Sequence, residues 1–353
     1  MYISNSTSFI QNLKPYEEII PALISEAEEV KLNQKDYKAN GIIFTEDDSL
    51  SFRCGTENYK MDVTEFALSQ YCNKIGMPNN FFKKLRTSKE PALIEMARKN
   101  INTLAGFGPD NIMFRCNKNI VRGVLTDKYT PFDTVEILKA FNNELNYSNE
   151  MTPADFKVAG YAHDPDMLHL RMIYGDPIKG EGIEHGIYAG MTINTSNIGV
   201  GKISVNFMLY RQVCSNGMII SHFNQNLFSQ RHINISVPEI AAGLSYTFGI
   251  FPQIAAQIQD KLTKASTTKI SNELLNLQEK GYRMETVKNK LGVSDKDMEE
   301  IIILLNEKYP RTVWGFTNAV TEFSKTKSLE RRLELERLAG DLFYTPDRYA
   351  LVA

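Results

Sequence analysis

The sequence predicts an α+β protein, with an antiparallel β-rich central core carrying helices and a helical C-terminal region. Three observations carry that expectation. Between about Phe156 and Ile220, residues alternate with the period of two that a pleated strand imposes, as in Leu168, Leu170, Met172 and Tyr174 set against His169, Arg171 and Ile173. From Pro238 onward the apolar period lengthens to that of a helix. Ahead of the strands, Gly76, Pro78 and the Gly106-Phe-Gly-Pro109 run cut the chain into short helical pieces.

In chain order, Val63, Phe66, Ala67 and Tyr71 share one apolar helical face in a segment running from Asp62 to about Leu85. Pro78-Asn-Asn-Phe opens a second helix there, and a third runs from Ala92 to Ile101. Ile112 to Cys116 and Ile120 to Leu125 flank Asn117-Lys-Asn119, a hairpin signal. Asp133-Thr-Val-Glu136 is a capping box, and the helix behind it turns Leu138, Phe141 and Leu145 inward. A second strand with a polar face joins Ser204, Asn206, Met208 and Tyr210 to the core row Ile203, Val205, Phe207 and Leu209. The tail ends in a charged helix, Ser328 to Leu342, burying Leu329, Leu333, Leu338 and Leu342. There is no internal repeat. Three parts follow: 1–105, an acidic segment plus helices; 106–250, the β-rich core; 251–353, the helical region.

Charge bounds the function. The 353 residues hold 40 Lys+Arg against 42 Asp+Glu, a formal net charge of -2, so the chain is not a uniformly basic polyanion binder. Cys54, Cys72, Cys116 and Cys214 include no C-x-x-C pair and read as buried thiols in a reducing compartment. No apolar run is long enough to span a membrane, and the opening residues lack the basic and apolar regions of a signal peptide, so a cytoplasmic location is expected.

The near-neutral total hides unlike regions. Glu17 to Asp48 carries nine acids, whereas Lys83 to Lys128 carries ten Lys/Arg against four acids. Continuous hairpin pairing around Lys118-Asn119 sets Arg115 opposite Arg122 on the outer face, a destabilising like-charge pair that either a phosphate or a carboxylate such as Asp127 or Glu136 would relieve. From His185 to Pro238, 54 residues pass with no Asp or Glu, while Lys202, Arg211 and Arg231 alternate with amides and rings including Tyr210 and Phe223. That chemistry suits phosphates and unstacked bases. A buried sheet would exclude acids just as well.

Other motifs carry less. Ser196-Asn-Ile-Gly-Val-Gly-Lys202-Ile lacks the first glycine and the hydroxyl of a phosphate-binding loop and reads as a strand turn. His163, Asp166 and His169 could ligate a metal, although Asp-Pro-Asp is also a turn sequence. His222 stands near Cys214, but nothing positions it as a base. Arg283 to Leu305 has helix-turn-helix spacing around Leu291-Gly-Val-Ser294, yet four carboxylates at the start of its second helix would face DNA, so a packed helical hairpin is expected.

Val121-Arg-Gly-Val-Leu-Thr-Asp-Lys-Tyr-Thr-Pro-Phe-Asp133, Leu209-Tyr-Arg-Gln-Val-Cys-Ser-Asn-Gly217 and Thr312-Val-Trp-Gly-Phe-Thr-Asn-Ala-Val-Thr-Glu-Phe323 together resemble a phage/plasmid-like protein family of unknown function over residues 65–343. Asn197 departs from the acidic residue that family carries ahead of the turn glycine. The order of hairpin, helix and strands is also remotely similar to Rad52-like single-strand annealing proteins. The resemblance implies a mobile-element protein in a bacterial host cell.

Residues and resemblance together lead to the expectation of single-stranded nucleic acid binding in replication or recombination, of an annealing type without turnover. The contacts expected are Lys83, Lys84, Arg86, Arg115, Lys118, Arg122, Lys128, Lys202, Tyr210, Arg211, Phe223 and Arg231. A homo-oligomer is expected to supply avidity, and no cofactor is expected. The alternative is an interaction protein that meets a host factor, in an anti-defence or regulatory role, through its acidic N-terminal surface.

Overall fold

Caps and breakers set the element boundaries in the computed structural model, which describes residues 10–39, 41–45, 50–54, 57–109, 112–178, 186–211, 216–220, 227–275 and 281–352. The chain opens with β1 (Ile10–Pro15), α1 (Tyr16–Leu32), β2 (Gln34–Ala39), β3 (Gly41–Phe44), β4 (Leu50–Cys54), β5 (Glu57–Lys60) and β6 (Asp62–Val63). Asp62 and Val63, expected in a helix, instead pair in parallel with Ile120 and Val121. The helix starts only at Thr64, whose Oγ1 accepts from the Ala67 amide at 3.1 Å. There follow α2 (Glu65–Lys74), α3 (Asn79–Arg86) and α4 (Pro91–Ala105), then the hairpin β7 (Ile112–Asn117) and β8 (Ile120–Thr126).

The capping box forms: the Asp133 amide donates to Glu136 Oε2 at 2.5 Å, and α5 (Thr134–Tyr147) buries Leu138, Phe141 and Leu145. Strands β9 (Phe156–Asp164), β10 (Met167–Ile178), β11 (Ile187–Ser196), β12 (Ile203–Arg211), β13 (Asn216–Ile220) and β14 (Phe228–Gln230) come next. The C-terminal region consists of α6 (Val237–Thr267), opened by a Ser236/Glu239 capping box, α7 (Tyr282–Leu291), α8 (Asp295–Lys308), α9 (Val313–Ser324) and α10 (Leu329–Tyr344). The helix-turn-helix segment is a packed hairpin. Gly292 takes the left-handed conformation (φ 60°) at its turn, and Met284, Val287, Leu291, Met298, Ile301 and Ile302 all point into the main core.

The fold is α+β. Its central antiparallel sheet has the order β1-β9-β10-β11-β12-β13, with β14 beside β13 on the outer edge of β12. A second sheet, β2-β7-β8-β6, and a meander, β3-β4-β5, pack with α2 to α4 around a separate core that includes Phe44, Tyr71, Phe82 and Phe114.

The core row of the central sheet follows the alternation: Leu168, Leu170 and Met172 align with Ile193, Met191, Val205 and Phe207. The opposite face, expected to be open and polar, is covered too, because α10 packs over it. There Arg171 Nη2 donates to Glu336, both fully buried, Arg171 Nε meets His169 Nε2 at 3.0 Å, and Arg332 Nε donates to Glu336 Oε1 at 3.0 Å. The expected leucine row of α10 holds in part: Leu333 and Leu342 are buried and Leu329 and Leu338 partly so, while Leu335, Glu336 and Ala339 are buried as well. Close packing of the strands also needs Gly190, where a Cβ would lie 2.3 Å from the Met172 carbonyl oxygen.

Glu336→Gln leaves two guanidinium groups against one neutral amide, and an unfolding free energy lower by about 3–5 kcal/mol is expected in urea titration. The double variant Arg171→Met/Glu336→Leu is expected to be less destabilised than that single change.

Candidate nucleic-acid interface

The hairpin does not pair continuously. Asn117 faces Ile120 and Cys116 faces Val121, but Arg115 faces Gly123, so Arg122 is the extra residue of a β-bulge. The bulge reverses the parity of β8 beyond it: Val124 joins Phe114 in the core, while Leu125 moves to the other face with Met113 and Tyr129. Arg115 and Arg122 are therefore not opposite each other, and the repulsion expected between them does not arise.

Both arginines are held by carboxylates, though neither by Asp127 nor by Glu136. Arg115 is 1 % exposed. Its Nε donates to Asp36 Oδ1 at 2.9 Å, its Nη2 to Asp133 Oδ1 at 2.5 Å, and its Nη1 to the Asn197 carbonyl oxygen at 2.7 Å. One guanidinium thus ties β2, the cap of α5 and the turn between β11 and β12 to the hairpin. Arg122 grips Asp166 with two bonds, Nε to Oδ1 at 2.5 Å and Nη2 to Oδ2 at 2.6 Å. Burial pulls the Arg115 pKa down, but Asp133 and Asp36 outweigh it and the net direction is up. Burial raises the carboxyls of Asp36 and Asp166, each partly offset by its arginine. These arginines are structural anchors and do not form the open phosphate clamp that the pattern suggests.

Asn197 completes the junction. Its Oδ1 accepts from the Thr134 amide at 3.0 Å, and its Nδ2 donates to the Pro165 carbonyl at 2.9 Å. The Ile198 side chain fills the space over Gly123, where a Cβ would meet it at 3.1 Å.

Of the expected stacking residues, Tyr210 is displaced from the surface. Tyr210 is 5 % exposed and packs with Ala159, Ile173 and Met208. Ser204 and Asn206 share hydrogen bonds with Asn194 and Thr192 in a half-buried polar layer. Arg211 lies 5.3 Å from the Tyr309 ring centroid, a cation–π contact that supplies the partner its inward position requires. Phe223, Cys214 and His222 lie outside the described residues.

His163, Asp166 and His169 do not converge. His163 pairs in register with Leu168, on the core side of the sheet near Glu26 of α1, whereas His169 points to the α10 side and bonds Asn194; Asp166 is taken by Arg122. Two histidines on opposite faces of one sheet cannot share an ion. Among the described residues no cluster of three or more His, Cys, Asp or Glu could hold a metal.

The remaining cations fall into two groups. Lys83, Lys84 and Arg86 lie on α3, where Glu65 pairs with Arg86 and, at 3.5 Å, with Lys83. Lys118 is exposed in the hairpin turn (φ 52°). The second group sits at the other end of β8, on the order of 20 Å away along the strand. Here Ile203 pairs with Gln230, so Lys202 and Arg231 are the next residues outward on neighbouring strands. A bridge between Tyr129 and Ile233 and a bond from the Thr130 amide to the His232 carbonyl at 2.9 Å bring Lys128 to the same corner. Lys128, Lys202 and Arg231 are exposed and meet no carboxylate among the described residues.

Beneath them, the Tyr129 and His232 rings stack at 5.1 Å, and Tyr129 Oη donates to the Ser196 carbonyl at 3.0 Å. Gly199 (φ 76°) closes the turn against Leu125, 2.5 Å from where a Cβ would sit. Burial, then the Arg115 charge, pushes the His232 pKa down from 6.5 to about 4. Chain folding thus unites one cation from the basic block with two from the acid-free span, a convergence no local pattern contains.

A family model described as Domain of unknown function (DUF932) matches residues 121–339, well over half of the chain. The chain belongs to the DUF932 family. No curated protein and no solved structure matches it. The DUF932 region begins in β8 and ends in α10, so it holds Lys128, Lys202, Arg231, Asp133 and Asn197 but neither Asp36 nor Arg115. No helix among the described residues is long and apolar enough to cross a membrane.

Arg115→Ala strands two carboxylates and a carbonyl, and a drop of about 3–5 kcal/mol in unfolding free energy is expected from denaturant titration. His232 is held neutral in the folded state, so the unfolded chain binds the extra proton between pH 6.5 and about 4 and stability falls as pH drops through that window. Among the described residues, neither buried ring nitrogen of His232 has a hydrogen-bond partner. His232→Phe, which keeps the stack, is expected to lessen this acid destabilisation in denaturation midpoints compared between pH 7 and 4.5.

Proposed function

We propose that the protein binds single-stranded nucleic acid at the corner formed by Lys128, Lys202 and Arg231, and that it serves replication or recombination of a mobile element without turning over a substrate. The observation that carries the reading is the meeting of three exposed cations from two distant sequence regions. Holding phosphates takes flexible, solvated positive charge that is not already neutralised, and these side chains have it while Arg115 and Arg122 do not. Asn234 and Gln230, both exposed beside Arg231, add amides that could bond sugars or base edges.

Three cations make a weak site alone. Repetition of the corner in an oligomer would raise the effective concentration of successive sites along a strand. The other reading, a host-factor contact through the acidic segment, has less support, since within it Asp36 is committed to Arg115 and Glu28 pairs with Lys139 at 2.5 Å.

Fluorescence anisotropy with a labelled single-stranded DNA oligonucleotide at several salt concentrations tests the proposal. Lys128→Glu/Lys202→Glu/Arg231→Glu is expected to bind at least about tenfold more weakly and to flatten the slope of log affinity against log salt by about 2, near 0.7 for each phosphate no longer held. Equal binding by wild type and the triple variant, or no binding by wild type at low salt, would refute it.

A further inference from the structure

Helix α2 runs beside β8 in the same direction. The Thr64 amide ahead of the helix donates to the Val121 carbonyl at 3.0 Å, and Gln70 Oε1 accepts from the Val124 amide at 2.8 Å. From Thr64 to Gln70 the helix rises about 9 Å, and from Val121 to Val124 the strand advances about 10 Å, so the two stay aligned. Gln70 also touches the β11–β12 turn, its Nε2 donating to the Ile198 carbonyl at 3.1 Å.

Lys74 follows Gln70 by one helical turn on the same face of α2. The same advance along β8, about 6 Å, leads from Val124 to Thr126, just before Lys128. Lys74 therefore lies where β8 ends, beside the turn that carries Lys202 into the corner with Lys128 and Arg231.

Its setting differs from that of the three exposed cations. Lys74 is half-buried, pairs with no carboxylate among the described residues, and has its pKa pulled down by burial. Asp127, the carboxylate in the turn after β8, pairs with no cation among them either. An ammonium drawn part-way out of water without a counter-ion is destabilising, and a phosphate oxygen would supply the missing charge. Lys74 also stands in the last turn of α2, where a cation offsets the helix dipole. The two roles differ in their consequence for stability, because losing a dipole partner weakens the fold and losing an uncompensated charge does not.

We propose that Lys74 is the inner cation of this corner and holds a phosphate of the bound single strand, which thus passes the C-terminal end of α2 as well as the β11–β12 turn. The assignment rests on strand binding at Lys128, Lys202 and Arg231. It adds a partly desolvated contact, where an ion pair is less screened than at the open surface.

Anisotropy of the full chain with the labelled single-stranded DNA oligonucleotide, beside a urea titration, decides it. Lys74→Gln is expected to bind about tenfold more weakly and to flatten the slope of log affinity against log salt by about 0.7, one phosphate's share. Its urea midpoint without DNA is expected to equal or exceed that of wild type. Lys74→Gln binding as tightly as wild type, while Lys128→Glu/Lys202→Glu/Arg231→Glu binds more weakly, overturns the role of Lys74 and leaves the corner standing. Weaker binding by Lys74→Gln together with a lower urea midpoint overturns it too, since Lys74 then serves the helix. Equal binding by wild type and the triple variant, or none by wild type at low salt, removes both.

Discussion

A single guanidinium joins four parts of this fold, one of them β2, which also pairs with β7 along the strand ladder. Arg115 bonds β2 through Asp36, the start of α5 through Asp133 and the β11–β12 turn through the Asn197 carbonyl, and it does so from the hairpin strand β7. Hydrophobic burial is non-directional and does not by itself fix the register of one core against the other. Charge-assisted bonds at fixed angles cannot slide. The β11–β12 turn, and with it Lys202 and the corner it shares with Lys128 and Arg231, is held by this anchor together with the bonds of Asn197 to Thr134 and Pro165 and of Tyr129 to the Ser196 carbonyl.

A similar device closes the other side of the central sheet. Arg171 and Glu336 are fully buried, and their contact sets how α10 lies across the strands. In both places a buried arginine is tolerable only because carboxylates meet it. Much of the charge of this near-neutral chain is therefore paired within the fold, and the local charge sums of the sequence overstate what the surface offers. Of the ten Lys/Arg between Lys83 and Lys128, Arg115, Arg122, Arg98, Arg86 and Lys83 are ion-paired, Arg115 to Asp36 and Asp133, Arg122 to Asp166, Arg98 to Glu95, and Arg86 and Lys83 both to Glu65.

The hairpin marks where pattern reading stops. Its strands, turn and apolar composition are plain in the sequence, yet one bulged residue, Arg122, moves every later side chain of β8 to the opposite face. Composition gives no cue for such a bulge, because Arg122 is stabilised by Asp166, 44 residues on. The polar strand face of Ser204 and Asn206 misleads for a related reason: its covering helix, α10, lies more than a hundred residues away in sequence. Among the candidate contacts, Lys128, Lys202 and Arg231 are legible as charges but not as neighbours.

What the sequence determined by itself is whatever neighbouring residues decide: the period-two strands, the capping boxes at Asp133, Ser236 and Ser294, the αL turn at Gly292, and the α+β class. These depend on backbone hydrogen bonds and side chains within a few positions, where spacing fixes geometry. Tertiary structure alone decided which charges are neutralised and which remain open. A cation's partner can stand anywhere in the chain, as Asp36 does 79 residues before Arg115, so its availability to a ligand follows from the whole fold.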